Sequence, residues 1–114
     1  MLITNSGLTG MQADLATLDE VAEKTGFVRW QWEYYRATYD YKIEDAGNEY
    51  YLRINARAEV GKLESPHAIL KLEDTYMGKA TFPHGLDYES PIPQKIQQQA
   101  SQKLQEFKNL LSQQ

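Results

Sequence analysis

"RATYDYKIEDAGNEYYLRINARAEV" spans residues 36–60, and its alternation decides the fold. Ala37, Tyr39, Tyr41 and Ile43 are apolar at odd positions, with Arg36, Thr38, Asp40 and Lys42 between them. Beyond "DAGN" at 45–48 the apolar set is Tyr50, Leu52, Ile54, Ala56, Ala58 and Val60, alternating with Tyr51, Arg53, Asn55, Arg57 and Glu59. A period of two is the mark of a strand with one covered face. Gly47 and Asn48 tolerate the positive φ that a turn needs. Setting Glu44 opposite Glu49 then places Ile43 against Tyr50, Tyr41 against Leu52, Tyr39 against Ile54 and Ala37 against Ala56. On the reverse face Asp40 meets Arg53, Thr38 meets Asn55 and Lys42 meets Tyr51. One pair does not fit, Arg36 opposite Arg57, because like charges directly opposed repel. On this reading Asp40–Arg53 is an exposed ion pair worth only ~0.2–1 kcal/mol.

Working outward, the first long strand reads from about Tyr34 to Asp45. Upstream, Val28, Trp30, Trp32 and Tyr34 are apolar at even positions. A regular strand cannot change parity, so the chain must break between Gln31 and Tyr35. Most of the tyrosines are then expected in an aromatic core under the helices. Met11, Leu15, Leu18 and Val21/Ala22 recur at helical spacing; Thr9 is the expected N-cap and Gly26 the left-handed terminator. Leu2-Ile3-Thr4 can form a short edge strand. Residues 67–73 and 76–82 read as two further strands around Asp74-Thr75. The proline-rich stretch 83–93 is a loop, and a last helix opening at Ser90 or Ser90-Pro91 carries the stripe Ile92, Ile96, Ala100, Leu104, Phe107 and Leu111. The order β-α-β4-α predicts an α+β domain over 1–114, an antiparallel sheet of four to five strands with two helices on one face.

The pieces "GFVRWQWEYYRATYDYKIED", "YYLRINARAEVG" and "AILKLEDTYMGKATFPHGLDYE" resemble the YugN-like family of small bacillar proteins. The resemblance runs from about Gly7 to Leu111, and its most specific parts are "RATYDYK" and the turn Pro83-His84-Gly85. It implies a TBP-like α+β fold and a cytoplasmic location, and it transfers no activity and no catalytic residue. Trp30 departs from the small turn residue expected there.

Composition narrows the function classes. The 114 residues contain no cysteine and carry a formal net charge of −4. That removes disulfides, thiolate metal sites and a cysteine nucleophile, and it suits a reducing cytoplasm. The start "MLITNSGLTG" lacks the basic and apolar segments of a signal peptide, and no run approaches the ~20 apolar residues of a membrane helix. The acidic balance argues against nucleic acid and anionic membrane.

No motif identifies a reaction. His67 and His84 lack the converging partners of a metal site, and neither Ser65-Pro66-His67 nor His84 with Ser90 forms a nucleophile elbow. No catalytic residue, metal ligand or cofactor is expected. The polar sheet face, with Arg36, Tyr51, Arg53 and Arg57, is the candidate binding surface, toward a protein partner or a second copy in a homodimer. The alternative is a small-molecule or enzymatic cleft between the C-terminal helix and the 83–91 loop, with Trp32, His84 and Tyr88 near its mouth. The small residues Ala56, Ala58 and Gly61 would leave an apolar cavity if the helices did not fill the space above them.

Overall fold

In the computed structural model, which describes residues 1–31, 33–81 and 85–114, the chain forms β1 (Leu2–Ile3), β2 (Gln12–Asp14), α1 (Leu15–Thr25), β3 (Val28–Gln31), β4 (Arg36–Asp45), β5 (Asn48–Val60), β6 (Ile69–Thr81), β7 (Gly85–Asp87) and α2 (Gln94–Ser112). The strands make one antiparallel sheet in the order β1-β6-β5-β4-β3, with β2 and β7 also paired to β6. The fold is α+β, with more strands than the sequence pattern predicts.

The β4–β5 register is the expected one, from Arg36 opposite Arg57 to Glu44 opposite Glu49. The turn is tighter than expected. Asp45 pairs with Asn48, and the positive φ values fall on Ala46 (50°) and Gly47 (81°). Two consecutive residues with φ > 0 match the twist of a two-residue hairpin.

Residues 69–81 form one strand rather than two. Leu70 and Leu72 point into the core at even positions, whereas Thr75 and Met77 do so at odd ones. The parity changes because Ile54 pairs with Thr75 and Ala56 with Leu72, so that Glu73 and Asp74 together oppose Asn55. Such a bulge keeps the strand continuous while switching its faces. The Asn55 amide donates to the Asp74 carbonyl (2.9 Å), the Thr9 hydroxyl to the Glu73 carbonyl (3.3 Å) and the Gly10 N–H to the Leu72 carbonyl (2.7 Å).

Both helices cover the odd face of β4. Phe107 of α2 meets Tyr39 and Phe27, with ring centroids 6.3 Å and 5.3 Å apart. The Tyr39 hydroxyl donates to Asp19 of α1 at 2.9 Å. Burial, and then that carboxylate, push the ionisation of Tyr39 well above the usual tyrosine range. Ile96, Ala100, Leu104, Phe107 and Leu111 are the buried stripe of α2. Pro91 and Pro93 hold the approach extended, so α2 begins at Gln94 instead of Ser90. Ile92 is still buried ahead of it. No helix among the described residues is long and apolar enough to cross a membrane.

The tyrosines divide between the faces. Tyr39 and Tyr50 are buried, but Tyr34 and Tyr35 are exposed in the link before β4. Val28 and Trp30 are exposed too. Val28 pairs with Asp40 and Trp30 with Thr38, and paired residues share a face.

The first helix starts four residues later than its apolar spacing implies, because Gln12–Asp14 pairs with β6. The N-cap is Asp14, not Thr9. Its carboxylate accepts from the Thr17 N–H (3.1 Å) and the Thr17 hydroxyl (2.7 Å). Gly26 ends the helix at φ 88°; its N–H reaches Glu23, and the Phe27 N–H reaches the Ala22 carbonyl at 2.8 Å. The Thr17 hydroxyl first, and then its N–H, hold the Asp14 carboxyl below the usual carboxylate range. Because the folded value is depressed, the cap contributes fully above the unfolded value near pH ~3.9 and fades as pH falls through the lower folded value. Asp14→Ala is expected to lower stability by about 1 kcal/mol at neutral pH. Urea melts should show the difference from wild type shrinking in acid below about pH 4.

Candidate functional site

The face away from the helices is built from even positions of β4 and odd positions of β5. Arg36, Thr38, Asp40 and Lys42 lie beside Arg57, Asn55, Arg53 and Tyr51. Val28 and Trp30 of β3 extend it on one side, and Lys71, Tyr76 and Gly78 of β6 on the other. All four residues expected on this face, Arg36, Tyr51, Arg53 and Arg57, are there.

Asp40 and Arg53 hold its centre. The Arg53 Nε donates to one Asp40 carboxylate oxygen and an Nη to the other, both at 2.8 Å. This parallel fork is the strongest geometry for such a pair. It is not the exposed pair expected from the pattern: the Asp40 side chain is 5% exposed and that of Arg53 26%. The hydrogen bonds it donates to Asp40 hold Arg53 even more firmly in its charged form. The other Nη donates to the Tyr88 hydroxyl at 3.0 Å.

Tyr88 reaches this position because β6 offers a gap. A Cβ on Gly78 would lie 3.1 Å from the Leu86 Cβ and 3.2 Å from a Tyr88 ring carbon. Tyr88 also packs on Tyr76, with centroids 5.6 Å apart. The loop after β7 therefore brings Tyr88 onto the polar face beside Arg53. Trp32 and His84, the other residues of the alternative cleft, lie outside the described residues. Over the small residues of the covered face, Ala56 is buried, and Ala68 stands 3.5 Å from where a Gly61 Cβ would be.

Two clefts open on the polar face. The larger, about 640 Å³, is lined by residues that include Arg36, Arg57, Lys71, Asn55, Tyr76 and Glu73. The smaller, about 250 Å³, lies between Trp30, Asp40, Tyr51, Arg53 and Leu86. Lys71, Tyr76 and Leu86 are additions that the sequence reading did not reach. Lys71 comes beside Arg57 only through the β5–β6 register, which has shifts at Ile54/Ala56 and Ala58/Val60.

The serines of the groupings that could suggest catalysis take part in turns, and His84 lies outside the described residues. The Ser90 hydroxyl donates to Asp87 at 2.6 Å, and this bond, ahead of the Glu89 and Ser90 N–H groups, holds the Asp87 carboxyl below its ordinary range. The Ser65 hydroxyl accepts the His67 N–H at 3.2 Å. Among the described residues no group of three or more His, Cys, Asp or Glu is placed to hold a metal ion.

Comparison with known proteins places this architecture. The YugN-like family model matches residues 3–111. The chain belongs to the YugN-like family. It is 35% identical over 111 residues to the uncharacterized protein YlbA of Bacillus subtilis, covering 95% of this chain and 92% of the relative. It is 30% identical over 88 residues to the uncharacterized protein YugN of the same organism, covering 76% and 66%. The crystal structure of the uncharacterized conserved protein YugN from Geobacillus kaustophilus superposes with a TM-score of 0.87 at 34% identity, covering 99% of this chain and 96% of that one. These relatives establish the family and fold and bring no activity with them.

In this YugN-like chain, Asp40→Ala is expected to cost ~2–4 kcal/mol in urea unfolding, since it strands a half-buried guanidinium. Arg53→Glu should be worse, because it sets two carboxylates against each other. Gly78→Ala is expected to displace Tyr88 and cost about 1–3 kcal/mol. The displacement is checked by loss of the Arg53–Tyr88 contact in NMR spectra.

Proposed function

We propose that the chain works as a single, non-enzymatic binding domain whose open polar sheet face meets another protein surface. The observation that carries this reading is the coincidence on one uncovered face of two clefts, exposed apolar side chains and arginines whose donors make no hydrogen bond to a described residue. Val28 is 58% exposed and Trp30 50%. Among the described residues, Arg36 and Arg57 have only long contacts to carboxylates, 3.6 Å to Glu33 and 3.8 Å to Glu73. Arginine and large aromatics are favoured at protein interfaces because they bury much area while satisfying polar groups.

The charge pattern supports a protein over a phosphate backbone. Glu33, Glu73 and Asp74 line the same cleft as Arg36, Arg57 and Lys71, so the lining has both signs and would repel part of any polyanion. A cysteine-free chain suits work in the cytoplasm.

Covalent footprinting tests the reading. Labelling of Trp30, Tyr51 and Tyr88 is compared between dilute purified chain, concentrated purified chain and chain in cell lysate. The expected result is protection of this face in at least one crowded condition, with the outer side of α2 labelled equally throughout. Equal labelling of the sheet face in all three, or protection of α2 instead, would overturn the reading.

A further inference from the structure

Two like-charge pairs of opposite sign sit symmetrically on the β4–β5 hairpin. Arg36 is directly opposite Arg57, and Glu44 is directly opposite Glu49. Both pairs lie on the open face, four residues to either side of the Asp40–Arg53 pair on β4. Like charges directly opposed in a sheet destabilise it. Lys71 pairs with Arg57 from the next strand and adds a third cation to the row.

Partial relief is available within the chain. Glu33 and Glu73 approach the arginines at 3.6 Å and 3.8 Å, too far for hydrogen bonds. At the other end Lys42 lies 3.0 Å from Glu44 and 4.0 Å from Glu49. The guanidinium forks of Arg36 and Arg57 make no hydrogen bond to any described residue, although a carboxylate is the partner their planar donors fit.

Resting on the reading of the open face given above, we infer that its occupant is a second copy of this chain, stacked with its strands antiparallel. The two-fold axis runs across the strands above the Asp40–Arg53 pair. A rotation about that axis exchanges the two ends of the face. The Arg36–Arg57–Lys71 row of one copy then lies over the Glu44–Glu49 pair of the other, and the reverse contact forms at the opposite end. Each row is about 13 Å from the axis, four residues at about 3.3 Å of rise. A two-fold contact needs one self-complementary patch, and the two ends of this face have that property because its mismatched pairs are equidistant from its centre and opposite in sign, while the Asp40 and Arg53 charges at the axis are already paired within each copy. Val28 and Trp30, paired with Asp40 and Thr38, lie beside the axis as apolar contacts.

A charge exchange tests the arrangement. Arg36→Glu with Arg57→Glu makes both ends of the face acidic. Glu44→Lys with Glu49→Lys makes both ends basic. All four side chains are at least 46% exposed, so both variants should fold, with circular dichroism as the check. Arg36→Glu alone and Glu44→Lys alone serve if a double variant does not fold.

By light scattering the wild type is expected to be a dimer. Each variant alone should weaken dimerisation roughly tenfold or more, and an equimolar mixture should reassemble, because the acidic face then meets the basic one. Three results would overturn the inference: a monomeric wild type in concentrated solution, a dimer indifferent to both reversals, or variants that stay monomeric when mixed. A monomeric wild type whose face is protected only in lysate would leave the binding-face reading standing and replace the second copy with a different protein. A dimer that protects α2 and leaves the sheet face labelled would remove both.

Discussion

The structure depends on the pairing of β4 with β5 across a two-residue turn. Ala46 and Gly47 both adopt positive φ, which fixes Asp45 opposite Asn48 and every later pair with it. Side chains alternate with a period of two, so a slip of β4 by one residue would put Tyr39 and Ile43 into water and Asp40 under the helices, and a slip of β5 would do the same to Leu52 and Ile54. Tyr39 and Leu52 are fully buried, and losing either burial would cost about 1.5–3 kcal/mol. The same alternation that makes the core places Asp40 and Arg53 side by side on the opposite face, so core and candidate site have a single origin.

The second constraint is the bulge in β6. It lets one strand serve two registers, with Leu70 and Leu72 in the core before it and Thr75 and Met77 after it. Its carbonyls are satisfied by Asn55 and by the segment that carries Thr9 and Gly10. The outer edge of β6 takes up β2, β1 and β7 in separate stretches. Short strands of this kind cover an edge that would otherwise be open to another chain. The last of them, β7, leads to Tyr88 and its contact with Arg53.

What the sequence revealed follows from these two constraints. The β4–β5 register was readable because both strands alternate without interruption and their turn has few solutions. The continuity of β6 was not, since a parity change looks the same whether a strand bulges or ends. That ambiguity concealed the β5–β6 register, and with it Lys71 and Tyr76 as neighbours of Arg57 and Arg53. Val28 and Trp30 share a parity that the sequence leaves without a face. Their pairing with Asp40 and Thr38 puts them on the open one, which side-chain type alone could not reveal. The start of α1 was misplaced because Met11 fits the helical spacing, whereas the backbone of Gln12–Asp14 is committed to β6. The four arginine and tyrosine candidates required only the one register that was readable, and they lie together.

The Asp40–Arg53 pair is a poor device for stability alone. Removing two charges from water costs several kcal/mol per ion, and an apolar pair of similar volume is often as stable or better. What an apolar pair cannot do is fix direction. The bidentate fork locks Arg53 in one orientation, which leaves an Nη free for the Tyr88 hydroxyl. Tyr88 in turn needs the space that Gly78 leaves. The centre of the face is therefore rigid and internally satisfied, while the charges at its two ends are left with long or competing contacts. Exposed like-charge pairs are easily relieved by substitution, and the hairpin has one of each sign at equal distance from its locked centre. A fixed centre flanked by exposed charges at both ends is the arrangement that the proposed binding face would use.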